Sequence, residues 1–132
     1  MKKKKILITA AVALGMLVGA ALFFKFRYDS MVRTINAQPI EEVDLSRVED
    51  GVYPGEFGDF LVHVSLEVTV SDGRITDIDV TEQRGGPGHE AHETLDMILE
   101  AQSPLVDAVS GATGSSRCIM IAAYRALSSG VR

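Results

Sequence analysis

Three hydrophobic rhythms divide this chain. The first is unbroken: Ile6 to Phe24 is nineteen residues without a charge, about 29 Å of helix at 1.5 Å per residue, which matches the hydrocarbon thickness of a bilayer. The second has period two. Val62, Val64, Leu66, Val68 and Val70 alternate with His63, Ser65, Glu67 and Thr69, predicting a strand with one buried face. The third is helical: Ala91, Leu95, Ile98, Leu99 and Gln102 share one face of a helix from about Glu90 to Gln102, with Glu90, Glu93, Asp96 and Glu100 mostly outside it.

The residues between these runs predict how they connect. A short strand around Gly51 to Phe57, broken at Pro54, precedes the alternating one. Asp72-Gly73 tolerates positive φ and predicts a hairpin into a third strand, about Arg74 to Glu82, with Ile78 and Val80 inside. Gly85-Gly86-Pro87-Gly88 predicts a loop, Pro104 stops the first helix, and Ser116 to Leu127 predicts a second, mostly buried one. The expected fold is α+β: a small antiparallel sheet of about three strands packed with two helices, preceded by one N-terminal transmembrane helix. The expected division is residues 1–27 as cytoplasmic lysines and membrane anchor, 28–49 as juxtamembrane linker, and 50–132 as an extracytoplasmic domain. Lys25 to Asn36 can extend the membrane helix for a few turns until Gln38-Pro39 breaks it; taken as flexible chain, about 20 linker residues reach roughly 25 Å, so the domain is expected to range over a patch of membrane.

Charge sets the orientation. Residues 1–27 hold six of the 13 Lys and Arg and none of the 18 Asp and Glu. Lys2-Lys3-Lys4-Lys5 keeps the N-terminus cytoplasmic, placing the chain after Phe24 outside. A cleaved signal peptide ending near Val18-Gly19-Ala20 is the rival, but the apolar run continues past that point to Phe24. Residues 28–132 carry seven basic and 18 acidic groups, a net of −11, which argues against nucleic acid as a partner. The single cysteine, Cys118, forms no internal disulfide and lies in the last apolar helix pattern as a small hydrophobe. His89 and His92 are spaced for one helix face, but no third ligand is evident and no metal is expected. No c-type haem, Walker or G-x-S-x-G motif occurs.

The candidate chemistry lies just before the last helix. Ser110 to Ser116 packs four hydroxyl side chains and two glycines into seven residues. Such a loop feeding a helix N-terminus offers free backbone N–H groups and the positive end of the helix dipole to a phosphate. The plain alternative is an ordinary cap, with Ser115 or Ser116 satisfying the helix start.

Four ordered blocks carry a resemblance to a known family. Asp107 to Thr113, D-x-x-S-G-A-T, resembles the attachment signature of the FMN-binding domain family, which includes the flavin-carrying subunits of sodium-pumping NADH:quinone oxidoreductase and of Rnf complexes. Asp50-Gly51-Val52-Tyr53-Pro54-Gly55-Glu56 resembles the family's opening D-G-x-Y-x-G-x, Val68 to Ile78 its strand-turn-strand centre, and Ile98 to Ser103 the helix end before the motif. The likeness covers roughly residues 50–128.

The resemblance implies FMN joined through its phosphate to the hydroxyl of Thr113. It implies that a separate flavin transferase installs it, recognising Asp107, Ser110, Gly111 and Ala112. Backbone N–H groups near Gly114, Ser115 and Ser116 are expected to hold the remaining phosphodiester charge. Gly85, Gly86, Pro87 and Gly88 sit where longer members place a loop near the flavin ring, although they depart from the family's E-T-P-G-x-G form. The function implied is an electron carrier between redox partner proteins or a membrane electron donor, anchored through residues 6–24 and not a self-contained enzyme. Two alternatives stay open at this point: a small flavin reductase with non-covalent FMN, and a non-redox partner-binding domain.

Overall fold

The computed structural model describes residues 1–59, 61–84, 88–107 and 113–132, and for 88–92 and 113–115 the backbone path alone. Helix α1 runs Lys2–Ala37, and a 3-10 turn, Leu45–Arg47, follows. Strands β1 (Gly51–Asp59), β2 (Val62–Ser71) and β3 (Arg74–Arg84) precede helices α2 (Gly88–Ala101) and α3 (Thr113–Ser129). The strands form one antiparallel sheet in the order β1-β2-β3. This is the α+β architecture with an N-terminal apolar helix that the hydrophobic pattern predicts.

The alternating run becomes the central strand. Val62, Val64, Leu66, Val68 and Val70 are all buried beneath the helices. Asp72 and Gly73 both take positive φ, 52° and 72°, giving the tight turn expected of them. Pro54 does not break β1, which pairs without interruption from Gly51 to Asp59. An edge strand carries proline because half of its N–H groups point away from the sheet.

Strict alternation fails in β3, at two bulges. The register passes from Val70↔Ile75 to Thr69↔Asp77, and from Leu66↔Val80 to Ser65↔Glu82, so Thr76 and Thr81 are extra residues. Each threonine hydroxyl donates to a β2 carbonyl, Thr76 to Thr69 and Thr81 to Ser65. The inner face of β3 therefore runs Ile75, Ile78, Val80 and then Gln83, where uninterrupted alternation from Val80 continues to Glu82.

Helix α3 starts three residues earlier than its apolar pattern indicates and is buried on almost every side from Cys118 to Leu127. It lies against β1 and β2, with α2 and α1 on its flanks. A Cβ at Gly55 would stand 2.1 Å from the Ala122 carbonyl oxygen, so glycine is what lets helix and strand touch there.

The juxtamembrane stretch is seated, not free. Helix α1 continues unbroken through Ala37, and Met31 and Ile35 are 4 % and 2 % exposed against the domain. Ile40, Val43 and Leu45 pack on the same core, and Val48 bridges to Val131. The helical extension expected of Lys25 to Asn36 is present and ends at Ala37, just before Gln38-Pro39, and its apolar side chains Met31 and Ile35 reach the core.

Candidate functional site

Helix direction assembles the site. α3 runs antiparallel to β1: Gly130 meets the Tyr53 ring at one end, Gly55 meets Ala122 and Ala126 midway, and Cys118 comes within electrostatic reach of Asp59 at the other. The start of α3 thus lies at the end of the sheet where β1 turns into β2. Register puts the end of β3 there too, since Phe57 faces Val64, which in turn faces Gln83. α2 begins four residues after β3 ends. Two helix N-termini and the last inward residue of β3 converge on one end of the domain.

Thr113 is the first residue of α3, and Gly114, Ser115 and Ser116 complete its first turn, which contains no acidic residue. The backbone N–H groups of that turn have no acceptors within the helix, and the turn itself carries no carboxylate. Ser116 serves a structural purpose: its hydroxyl is buried and accepts from Thr94 Oγ1 at 3.2 Å, joining α3 to α2. The cap alternative therefore does not use the Ser116 side chain at the surface. Asp107 is exposed and lines a cleft of about 520 Å³ with Met97, Glu100, Ala101, Leu105 and Val106, a volume within the range of ligand pockets.

Ser110, Gly111 and Ala112, like Gly85, Gly86 and Pro87, lie outside the described residues. Gly88 was expected in that second loop and instead opens α2, which begins two residues before the expected start at about Glu90. The side chains of His89 and His92 also lie outside the described set, and among the described residues no cluster of His, Cys, Asp or Glu is arranged to hold a metal ion.

Two residues were missed in the sequence. Gln83 places its amide nitrogen in the interior at the site end of β3, where it finds no hydrogen-bond partner. Nothing in the pattern marks it, because the bulge at Thr81 that turns it to the same face as Ile78 and Val80 is not visible as periodicity. Gln102, which counts as one face residue of a helix in sequence, ends α2 instead with φ 55°. Its amide bonds both backbone groups of Ile75.

Cys118 is sealed from this chemistry. Burial pushes its thiol up to about 11, with the Asp59 carboxylate adding to the shift and Arg117 opposing it. It is a neutral packing group at physiological pH.

The fold and this site define a small three-stranded α+β domain carried on a long apolar helix. The family described as FMN-binding domain matches residues 62–128, more than half of the chain. The chain belongs to the FMN-binding domain family, and FMN is its cofactor. No curated protein and no solved structure matches it.

The residues present fit that cofactor. The positive dipole end at the start of α3 suits an anionic phosphate, and the buried amide nitrogen of Gln83, without a hydrogen-bond partner among the described residues, is a donor suited to a flavin oxygen.

Proposed function

We propose that this protein is a membrane-anchored, extracytoplasmic flavoprotein whose FMN is esterified through phosphate to Thr113 and which relays electrons between redox partners. The observation that carries the reading is the position of Thr113 as the first residue of α3, preceded by D-x-x-S-G-A and followed by a turn without acidic side chains. A hydroxyl at that point presents its phosphoester to the positive dipole end of the same turn. The anchor is α1, a helix of 36 residues, long and apolar enough to cross a membrane.

Bound FMN supplies the redox chemistry; the chain supplies attachment, orientation and environment. With an FMN phosphoanhydride as donor, the Thr113 oxygen bonds to phosphorus and gives up its proton, while the anhydride P–O bond breaks and the second phosphate, with whatever it carries, takes the electron pair and leaves. No described residue forms a nucleophile–base pair around α3 that would activate this hydroxyl, so a flavin transferase performs the attachment. Asp107, exposed six residues upstream, is the recognition element for that enzyme. A covalent link suits a protein facing a dilute exterior, because it removes dissociation altogether.

Mass spectrometry of the full chain, co-produced with a flavin transferase, tests the assignment. The Thr113 peptide is expected to carry the mass of FMN. Thr113→Ala is expected to be colourless with an unchanged far-ultraviolet dichroism spectrum. Flavin released on acid denaturation of the native chain would overturn the covalent assignment.

A further inference from the structure

The membrane helix and the domain are one rigid piece, and the way they are joined sets which end of the domain meets the lipid. The charge-free run ends at Phe24. A collar follows, Lys25, Phe26, Arg27 and Tyr28, of the aromatic and basic types that favour the interface. Met31 is one turn beyond Tyr28, about 5 Å further along the helix and about 10 Å beyond Phe24. The headgroup layer on each side of a bilayer is itself about 5–8 Å deep. Met31 therefore stands at the outer edge of the headgroups.

Met31 is where the domain begins. The Leu61 backbone N–H donates to Met31 Sδ at 3.4 Å, so the turn joining β1 to β2 sits at this level. Further from the membrane, the Ile35 and Gln38 carbonyls accept from the Arg117 guanidinium, and the Gln38 side chain accepts from Arg125. Ascending α1 therefore corresponds to travelling up α3 from its N-terminal half. Thr113 lies four residues, about 6 Å, below Arg117, back toward the level of Met31.

Charge is distributed in the same sense. Around the opposite end of the sheet stand Asp44, Glu49, Asp50, Asp72 and Asp77 against Arg47, Arg74 and Arg132, a net of −2, with the Asp72 N–H bonded to Asp50 Oδ1 and Arg132 paired with Glu49. That end is repelled by an anionic lipid surface. At the near end Leu61 is an apolar side chain left 38 % exposed.

We propose that α1 seats the domain with its Thr113 end on the bilayer surface, the β1–β2 turn in the headgroup layer, so that a flavin at Thr113 faces lipid and not the external solution. This rests on the membrane-anchored reading above. Redox groups confined to the membrane are then the ones within reach, while the acidic end, about 30 Å away along β2, faces outward.

Spin labels on single cysteines test this in the full chain, with Cys118→Ala as background, in phosphatidylcholine–phosphatidylglycerol vesicles. Met16→Cys reports on anchoring, Leu61→Cys on the near end and Ser71→Cys on the far end, each read as relative accessibility to oxygen and to a water-soluble nickel chelate. The expected order is Met16 in hydrocarbon, Leu61 at the headgroups and Ser71 in water. Arg84→Cys and Asp77→Cys are a second near and far pair should either of the first pair fail to fold. A buried Met16 label with Leu61 and Ser71 equally aqueous, or with Ser71 the nearer, would overturn the orientation while leaving the anchor standing. An aqueous Met16 label would overturn both.

Discussion

The side-chain amide of Gln102 pairs with both backbone groups of Ile75: the Ile75 N–H donates to Oε1 at 2.7 Å, and Nε2 donates to the Ile75 carbonyl at 3.0 Å. The same Nε2 also donates to the Leu99 carbonyl at 2.7 Å. One glutamine thus behaves like a residue of a fourth strand on the open edge of β3 while closing the end of α2. It also fixes the departure point of the chain toward the attachment motif, since Ser103 and buried Pro104 come next.

Gln102 holds this position against its own backbone, at φ 55°. Gln102→Ala keeps the strain and loses the clasp, and is expected to destabilise by about 2 kcal/mol. Gln102→Gly loses the clasp but relieves the strain, and is expected to be less harmful by about 1 kcal/mol. Urea denaturation of the three proteins checks both values. Equal losses in the two variants would show that strain at this residue is negligible.

Gly55→Ala is expected to cost about 3 kcal/mol, because the new methyl meets a backbone carbonyl that cannot move away without shifting α3. The same substitution at Gly15, where nothing lies within 4 Å, is the matched control. Thermal melts of the two variants are the measurement.

Cys118 predicts an alkaline slope in stability. The folded thiol holds its proton up to about 11, whereas the unfolded chain releases it from about 9. Between those values the unfolded state binds fewer protons, so stability falls as pH rises through that window and is unaffected by this group below it. Denaturation midpoints across the window are expected to fall more steeply for the native chain than for Cys118→Ala. Parallel profiles would show that the thiol does not contribute.

Gln83→Leu separates ligand from scaffold. Without flavin, the variant loses a buried donor that has no partner, and its stability is expected to rise by about 1 kcal/mol. With flavin attached, it removes a hydrogen bond to the cofactor, and the visible absorption maximum is expected to shift. Destabilisation of the flavin-free form together with an unchanged spectrum would place Gln83 in the scaffold alone.

The elements themselves were legible in the chain because each depends on local pattern. Nineteen charge-free residues suffice for an apolar helix, five alternating apolar residues for a central strand, and Asp72-Gly73 for a turn that needs positive φ. The motif from Asp107 to Thr113 is read from sequence alone, as a hydroxyl among small residues before a helix within one short segment; of it the structure describes Asp107 and the backbone of Thr113. What needed tertiary structure was everything set by partners distant in sequence. The bulges at Thr76 and Thr81 arise from pairing with β2, and the second turns Gln83 to the face of Ile78 and Val80, where alternation from those residues would place Glu82. Gln102 acquires its role from Ile75, 27 residues earlier. The stretch after the charge-free run, polar enough to pass for a free tether, is seated on the domain because Met31 and Ile35 find a core. Local free energies decide which elements form, but a side chain's direction and a helix's seat depend on surfaces that exist only after the chain has folded back on itself.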